Sequence, residues 1–239
     1  ARTLQMELGC PEAKIQVTPN GIDVDGFADI QGKSPDEEKI ISIGAVLRVS
    51  PIKDVKTMIQ AFAFAKKRVP NLKLWIMGPT DEDEKYAQEC FDIVDSLGVS
   101  DVEFTGRVNV KEYLGRMDFT ILTSISEGQP LTILESYAAH KPTIATDVGN
   151  CRELIYGNDD GFGAAGILTH IMNLEEIAQA MIDRATDSKG RRQMGEAGYK
   201  RVTSFYRIEQ MKETYRKIYR KFAEEQQVEW TEDPFKLRR

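Results

Sequence analysis

The chain has 239 residues, of which 41% are hydrophobic and 29% charged, the balance of an ordinary globular protein. Its formal net charge of −6 argues against a general affinity for nucleic acids or other polyanions. Three scattered cysteines, Cys10, Cys90 and Cys151, form neither a metal-ligand spacing nor a disulfide framework, and they favour a reducing, cytoplasmic location.

The first 39 residues lack the regular pattern that follows them. A short strand is predicted at 14–18, and the turn-forming cluster Pro19-Asn20-Gly21 ends it. The chain opens on Ala1 with a sequence typical of the end of a helix. We therefore expect residues 1–39 to hold the end of a preceding N-terminal domain, missing here, and an interdomain connector.

Residues 40–205 alternate between strand and helix patterns. Apolar runs of strand length lie at 40–47, 72–77, 102–105, 119–123, 142–146 and, more briefly, 166–168. Helical spacing of apolar residues occupies 54–68, 83–97, 110–116, 131–139, 174–184 and 189–202. This alternation predicts an α/β fold, a Rossmann-like parallel sheet with helices on both faces. Ligands of such sheets bind beyond the carboxyl ends of the strands.

A last helix is predicted at 207–226, within a C-terminal helix and tail that span 206–239. Its basic residues alternate with Glu and Tyr, which indicates a solvated face rather than a nucleic-acid patch. Its aromatic residues lie on several sides, namely Tyr206, Tyr215, Tyr219, Phe222 and Trp230. Two interpretations stay open: a helix that covers the core, and a helix that crosses back to the missing N-terminal domain.

Two acids, Glu127 and Glu135, frame the junction between the fourth strand and the helix that follows it. Gly128 and Pro130 make the turn, and Gly128 leaves the backbone open to close contact with a ligand. A helix N-terminus offers unpaired N–H groups and partial positive charge, which suit a phosphate. Carboxylates accept hydrogen bonds from hydroxyls. The segment therefore predicts a ligand with both groups, such as a sugar nucleotide.

The same segment carries a family resemblance. Residues 126–148 resemble the Glu-x7-Glu region of retaining GT-B glycosyltransferases of family 4. The stretch 18–23 is similar to that family's interdomain Pro-Asn-Gly-Ile-Asp segment, and 104–108 to one of its strand ends. Arg48 and Lys53 keep its Arg-to-Lys spacing. Within the family, the chain most resembles the glycosyltransferase of the Pel exopolysaccharide system.

The resemblance covers nearly the whole chain and implies the C-terminal, donor-binding half of a GT-B fold. It implies that Arg48 and Lys53 hold the diphosphate, Glu127 faces the donor sugar and Glu135 accepts from the ribose hydroxyls. Arg107 is implied near the base. The remaining donor-binding residues that it implies are Gly128, Gln129, Pro130, Leu131 and Thr132. Arg48, Lys53 and Glu127 form the implied catalytic set.

The implied reaction moves a hexosyl group, with retention, from a nucleoside diphosphate sugar to a saccharide acceptor, with UDP the expected nucleotide. The family needs no cofactor and no metal. The implied partners are the donor, the acceptor, the missing N-terminal domain and a membrane polysaccharide-export complex. Without that domain, we expect the chain to bind the donor but to transfer little.

Rival functions stay open at this point. A non-catalytic module that binds a nucleotide or a partner would keep the fold, and so would a GT-B sugar-nucleotide epimerase. A dinucleotide-dependent oxidoreductase is disfavoured, because no Gly-x-Gly-x-x-Gly turn follows the first strand. Cys151 is expected to be a buried, inert thiol. His140 is expected to end a helix, where a positive φ would suit it better than a β-branched residue.

Overall fold

Six parallel strands form one sheet, in the order β3-β2-β1-β4-β5-β6, in a computed structural model that describes residues 2–228. The strands are β1 (Ile41–Val46), β2 (Leu72–Met77), β3 (Val102–Gly106), β4 (Phe119–Leu122), β5 (Thr143–Thr146) and β6 (Gly166–Thr169). The predicted parallel α/β sheet is confirmed, and with it each strand predicted after residue 39.

Helices follow the strands and cover both faces of the sheet. They are α1 (Arg2–Glu7), α2 (Val55–Lys66), α3 (Glu84–Leu97), α4 (Val110–Leu114), α5 (Leu131–Ala138), α6 (Cys151–Tyr156), α7 (Leu174–Thr186), α8 (Ser188–Phe205) and α9 (Ile208–Gln226). Every residue of β4 and β5 is buried, as expected of central parallel strands that pack on both sides. One apolar cluster joins the sheet to α2, α3 and α7, and a second joins it to α5, α6 and α8.

The sheet order changes direction at β1. From β1 the chain builds outward through β2 and β3, and then it returns to place β4 on the other side of β1. The loops after β1 and β4 therefore leave neighbouring strand ends toward different faces of the sheet. A crevice forms at such a switch point, at the carboxyl edge of the strands.

The prediction of a strand at 14–18 is wrong. A 3-10 turn, Glu12–Lys14, starts the segment, and Val17 is exposed. Within the described part of the chain, no strand lies beside these residues, so their backbone groups have no ladder to join. Helix α6 was not predicted, because its six residues are too few to establish a helical period.

The segment after residue 20 is anchored to the start of α9. Ile22 N donates to Tyr206 O at 2.9 Å, and Ile208 N donates to Ile22 O at 2.8 Å. A Cβ on Gly21 would lie 2.5 Å from Arg207 O, so this approach requires glycine. Ile22, together with Val24 and Phe27 beyond it, is buried in the second apolar cluster.

Helix α9 itself covers little of the protein. Among its residues Ile208–Gln226, Ala223 is the buried one, and its tyrosines and Phe222 are exposed. This exposure argues against the interpretation that α9 covers the core. Trp230 and the rest of the tail, 229–239, lie outside the described residues.

Candidate functional site

A cleft of about 470 Å³ opens at the carboxyl edge of the sheet, above β1, β2 and β3 and beside the first turn of α5. Four of the predicted site residues line it: Arg48, Lys53, Arg107 and Thr132. The rest of its wall is mostly apolar and comes from the strand ends, with Val46, Leu47, Met77, Gly78, Pro79, Val108 and Val110. The sheet therefore brings together side chains that lie far apart in the sequence.

Glycine is required at position 78, which lines the cleft. Gly78 directly follows β2 and has a φ of 149°. A Cβ at this position would lie 1.8 Å from Leu47 O, at the end of β1. The missing side chain lets the two chain segments run against each other, which places Arg48 and Pro79 on the same edge.

Lys53 and Glu127 form an ion pair across the switch point. Lys53 ends the 3-10 turn Pro51–Lys53 after β1, and its Nζ lies 2.5 Å from Glu127 Oε1. Ser124 Oγ donates to the same oxygen at 2.7 Å. The two charged side chains are only 18% and 12% exposed, so the pair is mostly shielded from water. Glu127 thus contacts a residue of the cleft wall without lining the cleft itself, and its carboxylate already has two partners.

Hydrogen bonds between the two loops hold this pair in place. Ile125 N donates to Ile52 O at 2.9 Å. Thr123 Oγ1 lies 2.9 Å from Lys53 O and 3.1 Å from Asp54 O, and it donates to these carbonyls. Asp54 has left-handed backbone angles, with φ 47° and ψ 49°, which turn the chain sharply into α2. The position of Lys53 is thus set by the backbone on both sides of the switch point.

Two arginines from different strand ends meet an acid that the sequence analysis missed. Arg48 Nη1 lies 3.0 Å from Glu82 Oε2. Arg107 Nη2 lies 3.6 Å from Glu82 Oε1 and 3.3 Å from Asp81 Oδ1. The arginine side chains are 59% and 66% exposed. The available signal was that these acids closely follow β2, and so belong to the same edge of the sheet.

Gln129 is fixed by the Pro-Asn-Gly segment. Asn20 N donates to Gln129 Oε1 at 2.6 Å, and Asn20 Nδ2 donates to Gln129 O at 3.1 Å. Gln129 Nε2 is buried and has no acceptor among the residues that the structure describes. Gly128 O accepts from Asn150 N at 2.8 Å, and Gly128 itself is exposed. Two segments distant in sequence therefore hold the turn that precedes α5.

The first turn of α5 faces the cleft with open N–H groups. Pro130 occupies the position before the helix, and no side chain caps the first turn. Leu131 is exposed, and Thr132 contributes to the cleft wall. The predicted backbone donors are thus available to an anion.

Glu135 lies one turn further along α5 and is partly buried. Burial raises the pKa of its carboxyl, while the positive charge of Lys111 opposes that rise. No residue from 5 to 228 donates a hydrogen bond to this carboxylate. Glu135 is therefore an acceptor without a donor, whereas Glu127 is already paired.

The remaining polar candidates have structural roles. Cys151 is fully buried, and burial raises the pKa of its thiol to about 12, which leaves it protonated and unreactive. His140 has a φ of 56° just after α5, as expected for a residue that ends a helix. Its ring stacks on Tyr199 and lies 2.8 Å from Glu196 Oε1.

The described residues contain neither a cluster suited to a metal ion nor a helix suited to a membrane. Between 5 and 228, no group of three or more His, Cys, Asp or Glu side chains is arranged to hold a metal ion. No helix described in the structure combines the length and the apolar character needed to cross a membrane. The expected independence from a metal stays a prediction.

Comparison with solved structures identifies the same fold. HepE of Anabaena, crystallised with UDP and glucose, superposes with a TM-score of 0.77 at 19% identity, over 91% of this chain and 60% of that one. The C-terminal domain of LpcC, a group 1 glycosyl transferase of Francisella tularensis, gives 0.66 at 25% identity, over 79% of this chain and 100% of that one.

Comparison of sequences gives a similar result. The N-acetyl-alpha-D-glucosaminyl L-malate synthase of Bacillus anthracis is 31% identical over 190 residues, 79% of this chain and 46% of that protein. The D-inositol 3-phosphate glycosyltransferase of Kineococcus radiotolerans is 26% identical over 220 residues, 82% of this chain and 49% of that protein. The chain thus spans about half the length of these relatives. The family model "Glycosyl transferases group 1" matches residues 26–201, and the chain belongs to this family.

Proposed function

We propose that this chain is the donor-binding half of a retaining glycosyltransferase, which moves a hexosyl group from a UDP-sugar to a saccharide acceptor. The observation that carries the proposal is the cleft at the carboxyl edge of the sheet. There, cationic side chains from the ends of β1 and β3 meet the open first turn of α5. Glu127 pairs with Lys53 of the cleft wall, and Glu135 lies one turn further along α5. Cations, free N–H groups and carboxylates are the groups that a nucleoside diphosphate sugar needs.

The diphosphate would bind between Arg48, Lys53 and the first turn of α5. These groups are in place before the ligand arrives, because backbone hydrogen bonds fix both loops. Negative charge grows on the diphosphate as the bond to the sugar breaks, and prearranged cations stabilise that charge. Arg107, which pairs with Glu82 as Arg48 does, would lie near the base of the nucleotide.

Lys53 would exchange partners when the donor binds. In the structure its ammonium group neutralises Glu127. A diphosphate in the cleft would compete for Lys53 and release Glu127 to accept from a hydroxyl of the donor sugar. Glu135, which has no donor from the described residues, would accept from the ribose.

The chemical step needs no covalent intermediate on this chain. The bond between the anomeric carbon and the diphosphate oxygen breaks, and the acceptor oxygen bonds to the same face of that carbon. The acceptor proton passes to the departing diphosphate. Acceptor groups would come from the N-terminal domain. We assign residues 1–39 to the end of that domain and a connector, 40–205 to the donor domain, and 206–239 to a C-terminal helix and tail, with the helix crossing back.

The choice of UDP and of the pathway rests on similarity. A solved protein of the same fold carries UDP and glucose, which makes UDP the first nucleotide to test. Exopolysaccharide synthesis, and within it the Pel system, rests on the sequence resemblance. A cytoplasmic enzyme that delivers its product to a membrane export complex would fit this role.

Calorimetry with UDP and with ADP tests the proposal. We expect the wild-type chain to bind UDP, and Lys53→Met and Arg48→Ala each to weaken binding about tenfold, as loss of a charge-assisted hydrogen bond implies. Lys67→Met and Arg68→Ala serve as matched controls, because both are exposed at the opposite end of α2. If a folded chain bound neither nucleotide, the proposal would be wrong.

Assays of the full-length protein separate the rival functions. A transferase makes a new glycoside from UDP-sugar and a saccharide acceptor. An epimerase releases an isomerised sugar without an acceptor, and a non-catalytic module binds UDP but makes neither product.

A further inference from the structure

A second polar cavity, of about 190 Å³, lies at the opposite edge of the sheet. It is formed where β4 and β5 begin and where α8 begins. Asp118 directly precedes β4, Lys141 lies two residues before β5, and Ser188, Arg191 and Arg192 come from the start of α8. We call it the α8 cavity.

Positive charge exceeds negative charge around this cavity. Lys33 and Arg191 both pair with Asp118, the latter with 3.7 Å between Arg191 Nη2 and Asp118 Oδ1. These two cations are only 14% and 12% exposed. Lys141 is mostly buried, which lowers its pKa, and Arg192 adds a fourth cation. Four cations thus surround one carboxylate, in a protein whose net charge is negative.

The nearest other acids are already engaged. Asp187 caps α8 by accepting from Gly190 N at 2.8 Å, and it lies 3.5 Å from Arg184 Nη2. Glu196 pairs with the ring of His140. Lys33 and Arg191 share one carboxylate, and neither Lys141 nor the exposed Arg192 forms an ion pair with a described residue. An anion from outside the chain would balance this excess charge.

Hydrogen bonds to backbone carbonyls hold Lys141 and Arg191 in position, but some N–H donors of these side chains remain without a carbonyl acceptor. Lys141 Nζ donates to Gly115 O at 2.9 Å, and an ammonium group has two further protons. Arg191 Nη1 donates to Ala185 O at 2.6 Å, while Nη2 remains near Asp118. In the described part of the chain, no side chain pairs with Arg192. The anchored donors of Lys141 and Arg191, together with the exposed Arg192, therefore border an open volume.

The position of these cations on α8 also favours a bound anion. The first turn of this 18-residue helix contains no acid, and Arg191 and Arg192 follow directly after it. Cations near a helix N-terminus oppose the helix dipole, whereas an anion there is favourable. A bound anion would offset both the dipole and the excess charge.

We propose that the α8 cavity binds a compact phosphate group. A phosphate carries up to two charges and several acceptor oxygens, which match two guanidinium groups, an ammonium group and the Ser188 hydroxyl. The volume equals about six water molecules at about 30 Å³ each, enough for one phosphate group. The phosphate can be free in solution or belong to a lipid headgroup.

This site is separate from the donor cleft. Asp118 lies before β4 and Glu127 after it, so the strand separates the two sites. UDP in the cleft therefore leaves the α8 cavity open. The proposal stands whether or not the chain is a transferase.

Titration with inorganic phosphate, followed by backbone amide NMR at constant ionic strength, tests the site. We expect saturable shifts at 188–192 that sodium chloride does not reproduce. Arg192→Ala should raise the phosphate Kd about tenfold, as should Lys141→Met. Lys189→Ala is the matched control, since this exposed cation of the same turn does not line the cavity. The control for the location of the site is Lys67→Met, an exposed cation at the end of α2 that lines neither cavity, which should leave the shifts at 188–192 unchanged.

Two results would overturn the proposal: shifts in chloride equal to those in phosphate, or equal losses in Arg192→Ala and Lys189→Ala. Vesicle binding identifies the source of the phosphate. If the chain sediments with phosphatidic acid vesicles and Arg192→Ala does not, the site accepts a lipid headgroup. If the chain binds inorganic phosphate but not these vesicles, the site takes a free phosphate compound.

Discussion

At the scale of a single residue, Glu82 forms ion pairs with both arginines of the cleft. The carboxylate of Glu82 pairs with Arg48 and Arg107, two groups that we assign to an anionic ligand. Under the proposed function, a donor would compete with Glu82 for both arginines. Lys53 has a similar internal partner in Glu127.

Glu82→Gln should strengthen UDP binding by about two- to fivefold, because exposed ion pairs contribute at most about 1 kcal/mol. The measurement is the Kd for UDP by calorimetry at low salt, and the gain should shrink as salt is added. Glu84→Gln, two residues along and also exposed, is the control. Equal gains in both variants would mean that only net charge matters.

The buried carboxyl of Glu135 should lower the stability of the folded protein at neutral pH. Burial raises the pKa of its carboxyl above 4.5, so the folded state holds this proton more tightly than the unfolded state. As pH rises through 4.5 toward the folded pKa, the free energy of unfolding falls, and above that pKa the loss is complete. Glu135→Gln removes this loss.

We therefore expect Glu135→Gln to be more stable than wild type at pH 7, with a difference that disappears below pH 4.5. Urea unfolding at several pH values measures it. The same variant should bind UDP more weakly, since a neutral amide is a poorer acceptor for ribose hydroxyls. Weaker binding without the gain in stability would contradict the role of burial.

At the scale of elements, Arg201 ties α8 to the end of α6. Its side chain is 1% exposed and pairs with Asp160, which is 4% exposed. The guanidinium group also donates to Leu154 O and Ile155 O, each at 3.0 Å. The hydrogen bond from Arg201 is the main reason that the pKa of Asp160 is lowered.

Arg201→Met should destabilise the fold by about 3–5 kcal/mol, because it leaves Asp160 buried without its cation. Urea unfolding measures the loss, and Lys200→Met on the exposed side of α8 is the control. In the wild type, the stability from a lowered pKa is present above the unfolded pKa and is lost as pH falls through the folded value. The difference between the two proteins should therefore narrow in acid.

The elements were predictable where their pattern was long and local. The strand at 72–77 was predicted with the bounds that the structure gives, since an apolar run ends there at Gly78-Pro79. The segment 14–18 has a strand-like composition, yet a strand requires a neighbour that composition cannot supply. The family resemblance supplied the candidate site residues, but not the pairing of Lys53 with Glu127, which are 74 positions apart.

At the scale of the whole molecule, α9 should contribute little to the stability of the rest. A chain that ends at Met211 keeps the contact between Ile22 and Ile208 and the side-chain cap from Gln210. We expect its urea midpoint to match that of the full chain, with a change below about 0.5 kcal/mol. A large loss would show that α9 packs on this domain after all.

The ion pair between Lys53 and Glu127 also has a consequence for the order of folding. The chain passes through β2, β3 and three helices between these residues, and the pair forms when β4 docks beside β1. A contact between residues so far apart in the sequence has a higher entropic cost than a local helix, and it therefore forms more slowly. We therefore expect the loops that form the cleft to come together late, after much of the helical structure. Under the proposed function, a nucleotide would then recognise the finished sheet rather than an intermediate.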